Sequence, residues 1–234
     1  MRVDDIRDRL RQARRITVLT GAGVSAASGV PTFRGAGGLW RNRQATQLAT
    51  PEAFAQDPVL VWDWYAWRRQ VIAGCAPNAA HTTIARWSQR PGFTLVTQNV
   101  DGLHERAGTA NVIRYHGSIW TLLCAAGTCP DWEDLRVPLE PLPPKCPRCG
   151  ALARPGVVWF GEPIRPDALR DAQAATACDL FLSIGTSSVV YPAAGLIAAA
   201  KSRGAFTVEI NPEATGAAVD VAIAAPAEEI LPDL

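Results

Sequence analysis

Apolar residues recur with a helical period at Val3, Ile6, Leu10 and Ala13, and predict a first helix over 3–13. The period then changes. ITVLT at 16–20 is a short apolar run rich in β-branched residues that ends at Gly21, the pattern of a buried strand running into a turn. Similar runs follow as TLVTQ (94–98), VVWF (157–160), LFLSIG (180–185), FTVEI (206–210) and VDVAI (219–223). Strands this uniformly apolar predict a parallel sheet covered on both faces. Helical patterns at 58–73, 79–89, 166–177 and 192–202 separate several of them, and the alternation predicts an α/β fold. Two stretches break it. Residues 35–78 hold a Gly-rich loop and a Trp-rich helix, and 118–156 are rich in Pro and Cys without a strong period. Both read as insertions that form a smaller lobe.

Composition narrows this picture. The chain has 234 residues, 48% hydrophobic, with net charge +1 and a pI near 7.6. That excludes a disordered chain and leaves no electrostatic footprint for nucleic acid or a membrane surface. The first residues, MRVDDIRDRLRQARR, carry six Arg interrupted by Asp4, Asp5 and Asp8, and no long apolar stretch follows. They read as neither a signal nor a transit peptide. The expectation is a cytoplasmic protein with no membrane or stable nucleic-acid partner, and nothing demands more than a monomer.

The first strand leads into GAGVSAASGVPTFRG, residues 21–35. Gly21 and Gly23 allow a sharp turn and a close approach to a pyrophosphate, Ala26 allows tight helix–strand contact, and the new helix end offers free N–H groups. The position directly after a buried strand favours a dinucleotide-binding loop over a tight turn alone. The acidic residue such sites place about 20 positions on is missing. The region reads LWRNRQAT, with no acid and no strand.

Cys124-x4-Cys129 and Cys146-x2-Cys149 form two pairs. Four thiolates suit one tetrahedral zinc and leave no open coordination position, so the predicted role is structural. A nucleic-acid-reading ribbon is disfavoured, because 118–156 balances Asp131, Glu133, Asp134 and Glu140 against Arg136, Lys145, Arg148 and Arg154. Cys75 and Cys178 read as small buried hydrophobes.

Polar residues cluster at strand ends in TQNVDG (97–102) and YHGS (115–118), where α/β sheets bind ligands. His116 there is either structural or a general base. In DWYAWRR (63–69), Tyr65 and Arg68 share a helix face, which is either a half-solvated surface or a grip on an anion.

Taken together, these stretches resemble the sirtuins, the NAD-dependent protein lysine deacylases. GAGVSAASGVPTFRG, TQNVDGLH, YHGS, the Cys pairs, RPGVVWFGE (154–162), GTSSVVYPA (185–193) and EINPE (209–213) run in family order over nearly the whole chain. The resemblance implies one catalytic domain, with a Rossmann-like part at 1–34, 79–117 and 157–234, a small lobe at 35–78 and a zinc-ribbon module at 118–156. It implies NAD and one structural zinc, with acylated-lysine proteins or peptides as substrates. NAD would be held by Gly21, Ala22, Gly23, Val24 and Ser25, by Phe33 and Arg34 of a loop over the nicotinamide pocket, and by Trp40, Gln98, Asn99 and Asp101. Gly185, Thr186 and Ser187 would take phosphate or ribose; Asn211, Pro212, Glu213 and Ala227 would take the adenosine end. His116 would be the general base on a ribose hydroxyl, once the acyl oxygen has displaced nicotinamide from the ribose. Free lysine and O-acyl-ADP-ribose would be the products. The segment Val158, Phe160, Gly161 and Glu162 would pair with the substrate peptide as an added strand.

The class III branch carries Tyr-x-x-Arg in the helix lining its acyl pocket, and Thr at the position of Thr32. Tyr65 and Arg68 match it. A guanidinium and a phenol suit the terminal carboxylate of a succinyl or malonyl group, with acetyl also accepted. The alternatives are a chain that is mainly a deacetylase, one in which ADP-ribosyl transfer dominates, and a zinc-ribbon binding module on a vestigial nucleotide fold. Ala27, Tyr115 and Gly156 depart from the family pattern. Gly156 is expected to loosen the substrate-pairing strand or widen the peptide channel.

Overall fold

The computed structural model describes residues 3–32, 39–41 and 43–234. Helix α1 (Val3–Gln12) buries Ile6 and Leu10 and stops where Arg90 reaches the carbonyls of Leu10, Arg11 and Ala13. Strand β1 (Ile16–Thr20) is buried throughout and runs into the short α2 (Gly23–Ala26). The small lobe follows with hairpin strands β2 (Leu39–Trp40) and β3 (Arg43–Gln44), α3 (Ala45–Leu48), α4 (Pro51–Gln56) and α5 (Pro58–Gly74). Asp57 starts α5 by accepting the Leu60 N–H, with Pro58 in the first turn.

Asn78 caps α6 (Ala79–Trp87), which returns the chain to the sheet at β4 (Phe93–Thr97), followed by α7 (Leu103–Arg106) and β5 (Val112–Arg114). The chain leaves again for the antiparallel strands β6 (Gly117–Cys124), β7 (Trp132–Glu133) and β8 (Ala153–Val157). It then completes the sheet through α8 (Pro166–Ala175), β9 (Leu180–Ile184), α9 (Gly195–Ser202), β10 (Phe206–Ile210), β11 (Val221–Ile223) and α10 (Ala227–Ile230).

The main sheet has six parallel strands in the order β11–β10–β9–β1–β4–β5. The first half of the chain extends it to one side of β1 and the second half to the other. The order therefore reverses between β1 and β9, and such a reversal opens a ligand crevice at the strands' carboxyl ends. Successive β1 residues serve opposite faces, as the strand period of two demands. Val18 packs with Leu10, Ile84 and Leu182, while Leu19 packs with Val96, Phe181 and Ile197. A third cluster, including Trp62, Trp64, Ile72, Leu122 and Trp159, joins α5 to the antiparallel sheet.

Three expectations change. VVWF is no strand of the main sheet: Val157 ends β8 in the antiparallel sheet, and 158–160 lie outside any strand. The chain turns there because the Glu162 carboxylate takes the Trp159 N–H while the Trp159 carbonyl takes that of Glu162. A two-residue hairpin forms at 39–44, where no strand was expected. Gly156 does not loosen β8. A Cβ there would stand 2.7 Å from both the Cβ and the carbonyl oxygen of Thr121, so glycine allows close packing of β8 on β6, whose register shifts between Gly117 and Leu122.

Candidate active site

The crevice between β1 and β9 is built by three glycines. Gly21 donates to the Ile184 carbonyl and Gly23 to that of Gly185. A Cβ on Gly21 or Gly23 would come within 2.8 Å of Gly185 atoms, and one on Gly185, whose φ is +59°, within 2.5 Å of the Val24 nitrogen. Only bare backbone lets the two loops meet. Thr186 sits at this junction and accepts from the Gln98 side chain at 2.9 Å, so the ends of β1, β4 and β9 are tied together.

His116 follows β5 and stands half-buried at the rim. Its Nδ1 lies 3.2 Å from the Gln98 carbonyl. A carbonyl can only accept, so Nδ1 carries the proton and Nε2 keeps a lone pair that can accept one. Burial lowers the imidazole's pKa, opposed by that hydrogen bond, so the ring is a neutral base near pH 7.

Behind it lies a closed polar network. Ser25 Oγ donates to Asp101 Oδ2 at 2.8 Å and accepts from the Asn99 amide at 3.2 Å. The other Asp101 oxygen takes the Leu103 N–H. Burial raises the Asp101 pKa, and the Leu103 and Ser25 hydrogen bonds oppose this. His81 Nε2 lies 3.3 Å from Ser25 Oγ, and the His81 and His104 ring centroids are 4.8 Å apart. Burial lowers both pKa values, to about 4 for His81 and about 3 for His104.

Helix α5 carries Tyr65 and Arg68, each 2% exposed, so the half-solvated reading of this face fails. Arg68 lies 5.4 Å from the Trp64 ring centroid and donates weakly to the Pro31 carbonyl at 3.4 Å. Burial opposes its charge, while Tyr65 and Asp101 support it. Trp159 donates its indole N–H to the Tyr65 hydroxyl at 2.9 Å. The segment bearing Trp159 is braced by the Arg154–Glu162 pair, with Arg154 also lying 3.6 Å over the indole. Val158 donates to the His116 carbonyl and Phe160 to that of Ala49, so the segment spans from His116 to the small lobe. The Phe160 side chain is 42% exposed.

The four cysteines converge, with all sulfurs within 4.8 Å of one another. An all-thiolate set of this span fits one structural zinc held by Cys124, Cys129, Cys146 and Cys149. Cys75 and Cys178 are buried, as expected.

Of the remaining expected residues, Asn211 follows β10 and its amide donates to the Glu213 carbonyl at 2.6 Å. Pro212, Glu213 and Ser187 are exposed, whereas Ala227 is buried at the start of α10. Trp40 packs in the small-lobe core, 6.4 Å from Trp67. Phe33 and Arg34 lie outside the described residues. Sequence reasoning missed Trp159, Arg154 and His81. The first two stand inside RPGVVWFGE, yet no periodicity marks which of that motif's side chains turn inward.

Comparisons with known proteins agree with this geometry. Residues 21–192 match the Sir2 family model. An NAD-dependent protein deacylase 1 of Pseudomonas aeruginosa is 50% identical, over 96% of this chain and 94% of that protein. An NAD-dependent protein deacylase 2 of Pyrobaculum aerophilum is 49% identical, over 98% and 93%. Among solved structures, a Sir2 homologue in complex with NAD superposes with a TM-score of 0.92 at 43% identity, covering 98% of this chain and 91% of that one. A Sir2 homologue mutant with 2′-O-acetyl ADP ribose gives 0.93 at 43% identity, covering 98% and 94%. No helix among the described residues is long and apolar enough to cross a membrane.

Proposed function

The chain belongs to the Sir2 family and is an NAD-dependent protein deacylase, and from that premise we propose that it prefers lysines carrying succinyl or malonyl groups, with acetyl-lysine as a weaker substrate. The observation that carries this reading is the burial of Tyr65 and Arg68 one turn apart on α5. A guanidinium and a phenol held together in a buried wall match the terminal carboxylate of a succinyl or malonyl group in charge and in hydrogen-bond donors. An acetyl group brings no such charge. Burial pushes the Tyr65 phenol pKa up, so it stays protonated and donates to the same carboxylate.

His116 takes the proton of a ribose hydroxyl at Nε2. Asn99 and Asp101, fixed by Ser25, orient the nicotinamide side, while the Gly21–Ser25 loop with Gly185, Thr186 and Ser187 holds phosphate and ribose. Asn211, Pro212, Glu213 and Ala227 take the adenosine end, and Phe33, Arg34 and Trp40 contribute to NAD binding. When bound, NAD supplies the glycosidic bond that breaks. The substrate peptide lies along Val158, Phe160, Gly161 and Glu162, read through its backbone and therefore with little sequence preference. The enzyme acts as a cytoplasmic monomer.

Arg68→Met tests the preference. Losing a buried charge-assisted contact costs about 2–4 kcal/mol, roughly 30- to 1000-fold in kcat/KM for a succinyl-lysine peptide beyond any loss on the acetyl-lysine peptide. Equal losses on both peptides would remove the pair from acyl recognition.

A further inference from the structure

From the hydrogen bond between Trp159 and Tyr65 we infer that Trp159 is a specificity-determining positioning residue, which holds the Tyr65 hydroxyl so that its proton points to an anionic acyl group. This rests on the acyl-clamp reading above and extends it to a residue that need not touch the acyl group.

A phenol has one proton and two lone pairs, whereas an indole N–H can only donate. At 2.9 Å the Trp159 indole occupies a lone pair of the Tyr65 oxygen and cannot take its proton. Among the described residues the indole is the hydroxyl's hydrogen-bond partner, so the phenolic proton stays available to the pocket. Left to rotate, the same hydroxyl could turn its lone pairs to an incoming carboxylate and repel it. The indole therefore favours a substrate with an acceptor at the end of its acyl chain and does little for one that ends in a methyl.

Trp159 is itself built to hold this position. It is 3% exposed, and its ring centroid is 5.3 Å from that of Phe54 on α4. The Arg154 guanidinium over its face draws electron density from the ring and strengthens the N–H as a donor. Arg154 is in turn fixed by two contacts to Glu162, whose carboxylate also takes the Trp159 backbone N–H. The tryptophan is thus locked at both backbone and ring before any substrate arrives, which is what a positioning group requires.

The test is Trp159→Phe, which keeps an aromatic ring against Phe54 and Arg154 and deletes the N–H. The value of kcat/KM for a succinyl-lysine peptide should fall about tenfold more than for the matching acetyl-lysine peptide, the size of one hydrogen bond. On a Tyr65→Phe background the same substitution should shift the succinyl-to-acetyl ratio by less than about twofold, because the acceptor is already gone. A tryptophan that serves packing alone would depress both peptides equally on either background, and that result overturns the proposal. Arg68→Met run alongside separates the two readings. If it collapses the ratio while Trp159→Phe leaves the ratio intact, the clamp stands and the tryptophan's role is refuted. If Arg68→Met and Tyr65→Phe both leave the ratio unchanged, the clamp is refuted and this inference with it. Should Trp159→Phe not fold, nitrogen-15 indole spectra of the intact enzyme decide. The indole signal displaced in Tyr65→Phe should move with a succinyl-lysine peptide and stay in place with an acetyl-lysine one; equal movement with both refutes the role.

Discussion

The polar network at the strand ends and the pair on α5 are both buried, yet they are assembled in opposite ways. On the side proposed for the nucleotide, Ser25 from α2 and Gln98, Asn99 and Asp101 from the loop after β4 follow adjacent parallel strands, so paired strand ends bring them together. On the side proposed for the acyl group, Tyr65 and Trp159 are 94 residues apart in the chain and meet only because α5 packs on the antiparallel sheet. The first arrangement is a property of local motifs on a sheet. The second is a property of the lobe interface. Under the proposed function, the first performs the chemistry shared by every substrate and the second chooses among substrates.

Substitutions can break this contrast. The largest effect is expected from His116→Ala, which should lower kcat about 10²- to 10⁴-fold on acetyl and succinyl peptides alike, with zinc content and circular dichroism retained. A loss confined to one acyl group would place His116 in recognition and erase the distinction. The Arg68→Met and Trp159→Phe measurements probe the other side, where the ratio between peptides should move.

Acid should sharpen the contrast further, because the nucleotide side holds two neutral imidazoles. The folded pKa values of His81 and His104 are depressed to about 4 and about 3. Below the unfolded value of about 6.5, the unfolded chain therefore binds protons that the folded chain refuses. Stability is full above that pH and falls as pH drops toward 4, by about 1.4 kcal/mol per unit for each imidazole. Asp101 works the other way, with a raised folded pKa, but opposes two groups with one. Urea midpoints between pH 7.5 and 4.5 should decline accordingly, and a flat series would show that the pair is not buried neutral.

The smallest effect concerns the backing of His116. Among the described residues the Tyr115 hydroxyl is buried without a hydrogen-bond partner, in the cluster of Leu19, Val96 and Phe181. Tyr115→Phe should raise stability by about 1–2 kcal/mol, a Tm gain of a few degrees, with the acyl ratio unmoved. A loss of stability would mean that the hydroxyl has a partner such as a bound water.

Much of the molecule was legible beforehand. The strands at 16–20 and 206–210 match the predicted runs residue for residue, because strands covered on both faces are rich in apolar and β-branched residues even where the buried Thr17, Thr20, Thr207 and Glu209 interrupt them. The cysteine pairs converge as their spacing implies. The run VVWF misled because an apolar tetrapeptide looks the same in a strand and in a buried turn. What bends it is Glu162, a charged residue beyond its end. Gly156 misled for a related reason: its role is set by Thr121, 35 positions away, which no reading of the local run includes.

The amino-acid sequence by itself determined the parallel sheet, the glycine turn after β1, the strand-end position of His116 and the four thiolates. These follow from periodicity, from the φ/ψ freedom of glycine and from ligand chemistry, all of which act within a few residues. The tertiary structure alone decided that Arg68 is withdrawn from water, that Trp159 holds Tyr65 and that His81 faces His104. Each of these depends on which surfaces pack together, and burial is a relation between distant segments that no single segment encodes.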